Sequence, residues 1–285
     1  MKVAVFGGLG FLGQYLVAAL RERGHQVTII DLPGRSQVPY VTCDIRDREA
    51  VLAAIPVGTE VVYNLAGFAN LDRAVNQPYA TMELNVMGNL NILEACVAKT
   101  VGLFVYASSA YATSNKGSFY GISKLASEKL TEEYQRKYQL PFVILRYGSV
   151  YAELDFENNY IFQLIKDAVQ TGKIVHQGDG QEIREYIHAA DAARLSVEVI
   201  EDDQFRGQHV VLTGVERMKR IELFEMIREM LDGKVDIELT RDGYQHHYKY
   251  TPYSFEAARS RKLVANPFID MGQGLLECIR AVHQE

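Results

Sequence analysis

Tyr120 and Lys124 stand four residues apart in Ser118-Phe119-Tyr120-Gly121-Ile122-Ser123-Lys124. A helix turns once in about 3.6 residues, so the spacing predicts both side chains on one face. The ammonium would favour the phenolate and lower the phenol's pKa from its reference of about 10. That makes the pair a base usable near neutral pH. The same spacing also arises by chance on solvated helix faces, so its meaning depends on what the rest of the chain brings to it.

The N-terminus brings a dinucleotide turn. Val3-Ala4-Val5-Phe6 reads as a buried strand, Gly7-Gly8-Leu9-Gly10-Phe11-Leu12-Gly13 as a glycine turn, and Gln14 to Leu20 as an amphipathic helix that Gly24 ends. A second strand, Gln26 to Ile30, finishes at Asp31. Glycines at 7, 10 and 13 allow a tight turn and close backbone approach to a pyrophosphate, while the helix start offers N–H groups to it. Asp31 is placed where a carboxylate accepts from the adenosine ribose and repels a 2′-phosphate, which favours NAD over NADP.

Strands and helices must alternate for these groups to meet. Tyr40–Asp44, Glu60–Ala66, Leu103–Ala107 and Phe142–Arg146 read as further strands, with helices over Glu49–Ile55, Met82–Ala98 and Ser118 to about Tyr138. The expected fold is α/β: a Rossmann-type, doubly wound parallel sheet, with ligands at the carboxyl ends of its strands. Asp31, Asp44, Gly67, Ser109 and Gly148 all fall at or just past those ends. After residue 150 the pattern loosens. Helices are expected over Ile161–Thr171, Asp191–Ile200, Ile221–Leu231 and, capped by Ser254, through Leu263, and strands over Ile183–His188, His209–Thr213 and Val235–Leu239. The domain expectation is a dinucleotide-binding domain over 1–150, with roughly 187–213 returning to it, and a smaller α/β substrate lobe over 151–186 and 214–285.

Composition narrows the class. The chain has 285 residues, 48 % of them hydrophobic, and a net charge of −6 with no basic block, which argues against nucleic acid as the main partner. Cys43, Cys96 and Cys278 form no disulfide or metal spacing and read as buried thiols of a reducing compartment, hence a cytoplasmic protein. No metal site is expected, and His246-His247 reads as surface loop. The opening residues do not make a signal peptide, and no stretch approaches the ~20 apolar residues of a membrane span.

Together these residues resemble the extended short-chain dehydrogenase/reductases, specifically the NAD-dependent sugar-nucleotide epimerase/dehydratase group. The markers run through most of the chain: Gly7 to Gly13, Asp31, Asp44-Ile45, Asn64-Leu65-Ala66-Gly67, Asn85-Val86-Met87-Gly88-Asn89, Ser108-Ser109-Ala110, Tyr120 to Lys124, Leu145-Arg146-Tyr147, and Arg184-Glu185-Tyr186-Ile187-His188 before Asp191. Leu65 to Gly88 is particularly similar to UDP-galactose 4-epimerases. The resemblance implies that Gly7, Gly10, Phe11, Leu12 and Gly13 meet the pyrophosphate and Asp31 the ribose. It implies that Asp44 and Ile45 meet the adenine, and that Leu65, Ala66, Gly67, Asn85 and Gly148 line the cofactor. Ser109 would bond the reacting hydroxyl, or merely cap a turn. Tyr120 would be the base, and Lys124 would also hold the nicotinamide ribose. Arg184 would meet the substrate's diphosphate, or form a surface salt bridge. A homodimer through two helices of the larger domain is likewise implied.

The chain departs from the family pattern in four respects. Only ten residues separate Ser109 from Tyr120, and Ala112-Thr113-Ser114 replaces the usual Val-Tyr-Gly. Ala110-Tyr111 stands where the 4,6-dehydratases carry an Asp-Glu pair, which disfavours dehydration. Ser149 takes the place of an asparagine that contacts substrate. The expectation is an NAD-dependent 4-epimerase of a nucleotide sugar. A 4-dehydrogenase, a ketoreductase and a non-catalytic NAD-binding regulator stay open as alternatives, as do the sugar and the nucleotide.

Overall fold

A computed structural model describes residues 1–34, 38–114, 116–240, 247, 249 and 261–284 of the chain. Its strands are β1 (Lys2–Phe6), β2 (Gln26–Asp31), β3 (Val41–Thr42), β4 (Val61–Asn64), β5 (Leu103–Ser109), β6 (Phe142–Tyr147), β7 (Ser149–Tyr151), β8 (Lys173–Gln177), β9 (Ile183–His188), β10 (Gln208–Leu212), β11 (Arg217–Lys219), β12 (Asp236–Thr240) and β13 (Arg261–Leu263). Its α-helices are α1 (Phe11–Glu22), α2 (Arg48–Ala54), α3 (Leu71–Asn76), α4 (Pro78–Met82), α5 (Gly88–Ala98), α6 (Ser118–Tyr138), α7 (Tyr160–Thr171), α8 (Ala189–Glu201), α9 (Arg220–Met230) and α10 (Met271–Gln284).

Eight strands form one parallel sheet in the order β3-β2-β1-β4-β5-β6-β10-β13. The order reverses between β1 and β4, and at such a switch point the strand ends open a crevice. Continuous apolar runs suit these strands because both faces are covered. Val3 and Val5 of β1 join the core on one side with Leu16 and Leu20 of α1 and Leu195 and Val199 of α8. Ala4 and Phe6 join the other, with Val51 of α2, Ile92 and Cys96 of α5 and Tyr134 of α6. A separate core gathers Ile161, Phe162 and Ile165 of α7, Phe224 and Ile227 of α9, and Leu275 and Ile279 of α10. It carries the sheet β11-β9-β7 and the pair β12-β8.

Three expectations need correction. The single helix expected over Met82–Ala98 is α4, then a π-helical turn Glu83–Met87, then α5. The widened turn carries Asn85 inward, where it is 2 % exposed. The expected helix ending at Leu263 is instead β13 there, because Val210–Leu212 of β10 offers an open parallel edge; residues 254–260 lie outside the described residues. His247 is not free surface loop: it is tied to Tyr111 and Asp72, and His246 lies outside the described residues. Composition and period also left α3, β7, β8, β11 and α10 unexpected.

Candidate active site

At the switch point the glycine turn is set by contacts that no side chain would permit. Gly7 has φ +76°, and a Cβ there would lie 2.7 Å from Ala66 N; a Cβ on Gly13 would lie 2.1 Å from Gly7 O. Helix α1 follows with Gly10 as N-cap, no side-chain cap and no acid in its first turn. A helix start with no side-chain cap and no acid is a site for an anion. At the end of β2, Asp31 accepts from Leu9 N (2.9 Å) and from Leu32 N (2.8 Å), which fixes its carboxylate beside the turn. Leu65 donates its N–H to Phe6 O (2.9 Å), so residues 65–67 leave β4 alongside the glycines. These features fit a dinucleotide.

Asn85, Ile45, Asp44 and Gly148, also expected at the cofactor, and Ser149, expected at the substrate, are held by contacts within the protein. Asn85 serves the wall from behind: its Oδ1 accepts from Phe68 N (2.6 Å), and its Nδ2 donates to Ser123 Oγ (2.8 Å). It therefore braces the loop after Gly67 against α6. Ile45 is buried against Gly88. Asp44 is already engaged by Arg46, whose Nη2 lies 2.6 Å from Oδ2, and this pairing holds the Asp44 carboxyl below the usual carboxylate range. Gly148 packs against Thr213. Ser149 pairs with Tyr186 on β9.

The phenol and the ammonium do meet. Lys124 Nζ lies 5.8 Å from the Tyr120 ring centroid and 5.1 Å from that of Tyr106. It donates to Ala107 O at 2.8 Å. Lys124 is buried, and burial pushes its pKa down to about 8, against the opposing pull of Glu128. Ser109 ends β5, and its Oγ accepts from Tyr111 N (3.3 Å), capping a 3₁₀ turn over Ala110–Thr113. Accepting that bond leaves the hydroxyl its own proton to donate.

One turn beyond Lys124 lies Glu128, with no exposed surface. Its carboxylate takes Arg146 in two bonds, Nε–Oε1 at 2.9 Å and Nη2–Oε2 at 2.7 Å, and Ser108 Oγ at 2.6 Å. Burial alone would raise its pKa, but Arg146, His209 and Ser108 hold it at about 2. Tyr120, Lys124 and Glu128 repeat every four residues, a period that marks one helix face, so Glu128 was detectable in the sequence. Arg184, on β9, is 1 % exposed and donates from Nη1 to Ile183 O (3.0 Å).

Among the described residues, Glu153, His188 and Glu277 are close enough to hold a metal ion, with ligand atoms within 4.8 Å of one another. The histidine's other nitrogen argues against that use. His188 Nδ1 accepts from Ala190 N (3.3 Å) as the N-cap of α8, so in the neutral ring Nε2 carries the proton. A metal-binding imidazole instead donates from its second nitrogen. His188 Nε2 faces the carboxylates of Glu153 (3.4 Å) and Glu277 (3.6 Å) at ion-pair distance, without a formed hydrogen bond to either.

Comparison with known proteins agrees with this geometry. Residues 3–214, well over half of the chain, match the NAD dependent epimerase/dehydratase family. The chain belongs to that family. The family's cofactor is NAD, in keeping with the glycine turn and Asp31. The chain is 25 % identical to a putative UDP-glucose 4-epimerase of Methanocaldococcus jannaschii, covering 96 % of this chain and 95 % of that one. It is 26 % identical to a UDP-N-acetyl-alpha-D-glucosaminuronate decarboxylase of Bacillus cytotoxicus, covering 98 % and 97 %. Its fold superposes on the UDP-glucose 4-epimerase of Thermus thermophilus, solved as a complex with NAD, with a TM-score of 0.81, 24 % identity and 99 % of each chain covered. The relatives thus divide between epimerases and other reactions. No helix among the described residues is long and apolar enough to cross a membrane.

Proposed function

We propose that this family member is a nucleotide-sugar 4-epimerase working through Ser109, Tyr120 and Lys124. The observation that carries the reading is the buried ammonium of Lys124 beneath the Tyr120 ring. Burying a charge costs stability, and the ion pair Glu128–Arg146 does not need it, so its place beside a phenol is best accounted for by chemistry. Gly7–Gly13 and Asp31 would hold NAD, which would supply the hydride acceptor for the carbinol carbon. Tyr120 takes the hydroxyl proton, Lys124 stabilises the phenolate, and Ser109 orients the hydroxyl by donating its proton to it. The Tyr120 phenol would return the proton to the same oxygen as the ketone is reduced on its opposite face. Ser149 and Arg184 are kept as substrate contacts on the lobe side. The absence of an acid pair at Ala110-Tyr111 supports epimerisation over 4,6-dehydration.

We further propose a homodimer, supported by exposed apolar side chains on adjoining elements: Tyr79 of α4, Met87 of the π turn, and Ile122 and Leu125 of α6. A cytoplasmic location is supported by Cys43, Cys96 and Cys278, which are all buried and free. The deciding experiment incubates purified protein with UDP-, GDP-, CDP- and dTDP-sugars. Product without net change in NAD supports epimerisation, whereas stoichiometric NADH would make the chain a dehydrogenase. No turnover of any activated sugar defeats the proposal.

A further inference from the structure

The short segment between Ser109 and Tyr120 carries a second phenol. Tyr111 lies in the 3₁₀ turn, with its ring edge-on to Tyr120 and the centroids 6.2 Å apart. Gly117, at φ +92°, lets the chain pass across that ring; a Cβ there would come within 2.7 Å of it. The Tyr111 hydroxyl is 2.8 Å from His247 Nδ1, and His247 Nε2 is 2.9 Å from Asp72 Oδ1. An ionised carboxylate only accepts. Nε2 therefore donates to Asp72, and in the neutral ring Nδ1 accepts the phenolic proton. The His247 side chain is 13 % exposed and that of Asp72 is 80 % exposed, so the chain of bonds runs from beside Tyr120 out to water. The order carboxylate, imidazole, hydroxyl is that of an activated base. Hydride transfer at Tyr120 and Lys124 has no use for it.

We propose that Tyr111, His247 and Asp72 form a second acid–base relay that removes and returns the proton on the carbon beside the ketone formed at Tyr120. The substrate class is a nucleotide-activated hexose bearing hydrogen on that carbon, and the proposal rests on the hydride-transfer reading above. Ring contact keeps both phenols on one wall, so a sugar whose hydroxyl meets Tyr120 presents its neighbouring carbon to Tyr111. With NAD as oxidant the carbinol becomes a ketone, and the adjacent C–H bond turns acidic. That bond breaks, its electron pair forms the enolate, and the proton passes to the Tyr111 oxygen as the phenolic proton moves to His247 Nδ1. The imidazolium stays paired with the Asp72 carboxylate. Reversal restores the C–H bond with no net redox change, and protons exchange with water at the exposed end.

The test is solvent isotope incorporation. NAD-loaded protein is incubated in D2O with UDP- and dTDP-hexoses, and recovered sugar is read by NMR and mass spectrometry, with hydride transfer measured in the same samples. Deuterium is expected on the carbon next to the oxidised one. Relative to hydride transfer, its incorporation is expected to fall about 100-fold in Tyr111→Phe and in His247→Gln, the scale of a lost acid–base group. The His247 variant gives up the edge contact between the imidazole and the Tyr111 ring but keeps Tyr111 itself against Tyr120, so agreement between the two variants, with hydride transfer intact in both, separates chemistry from misfolding. Hydride transfer without deuterium at that carbon overturns the relay and leaves the reading of Tyr120 standing. Undiminished incorporation in both variants also overturns it. No oxidation of any sugar overturns both.

Discussion

Lys124→Met is expected to make the protein more stable and inactive at once. Burial lowers the Lys124 pKa from 10.5 to about 8. Each unit is worth 1.36 kcal/mol, so holding the ammonium inside the fold at pH 7 costs on the order of 3 kcal/mol. Met has similar volume and no charge, and such swaps are well tolerated. It forfeits the hydrogen bond to Ala107 O, worth about 1 kcal/mol. The net gain is about 2 kcal/mol, or roughly 4 °C in Tm for a chain of this size. The sign can be checked by pH. The folded pKa is depressed, so between about pH 8 and 10.5 the unfolded chain binds the extra proton and wild-type stability rises with pH. The variant's advantage is therefore full at pH 7 and fades towards pH 10.5. Urea unfolding of both proteins at pH 7 and pH 10 measures this directly. A variant less stable than wild type at pH 7, or an advantage that does not shrink with pH, would refute the assignment of a costly buried ammonium.

Tyr120→Phe is expected to lower turnover by a factor of about 100 to 10,000, the range for a lost general base, while NAD content after purification stays at the wild-type level. Gly13→Ala sets a methyl 2.1 Å from Gly7 O, so the turn must open; NAD binding, followed by fluorescence titration, should weaken by at least about tenfold, and unchanged binding would discount the cradle. Arg146→Met leaves Glu128 buried without its partner and should cost about 3–5 kcal/mol in urea unfolding. Because the folded Glu128 pKa is held at about 2 against an ordinary 4.5, that stabilisation is present above pH 4.5 and is lost as pH falls towards 2. Wild type should thus lose stability more steeply than Arg146→Met over that interval.

The dinucleotide half was legible because local patterns dictate it. A buried parallel strand must be apolar throughout, a backbone-to-backbone contact of 2.7 Å or less admits only glycine, and a four-residue spacing must share a helix face. The same logic could have found α10, since Met271, Leu275, Cys278, Ile279 and Val282 keep helical spacing and are all buried. Other features were not local. The break at Glu83–Met87 has no glycine or proline within it; it is settled by the bonds from Asn85 to Phe68 and Ser123, which belong to distant parts of the chain. Tyr111 and His247 lie far apart in sequence, and no periodicity links them.

The chain order of the large sheet bears on how the protein is made. β10 is laid beside β6, but its other edge is covered by β13, which lies beyond β11, α9 and β12. A ribosome delivers residues from the N-terminus at about 5–20 per second. Val210–Leu212 therefore waits for residues 261–263 with its outer backbone groups unpaired for several seconds of synthesis. An apolar edge left open is a template for a stray strand from another chain. Polysomes crowd such nascent chains together, so yield in overexpression should depend on translation speed across residues 213–260 as well as on the stability of the finished fold.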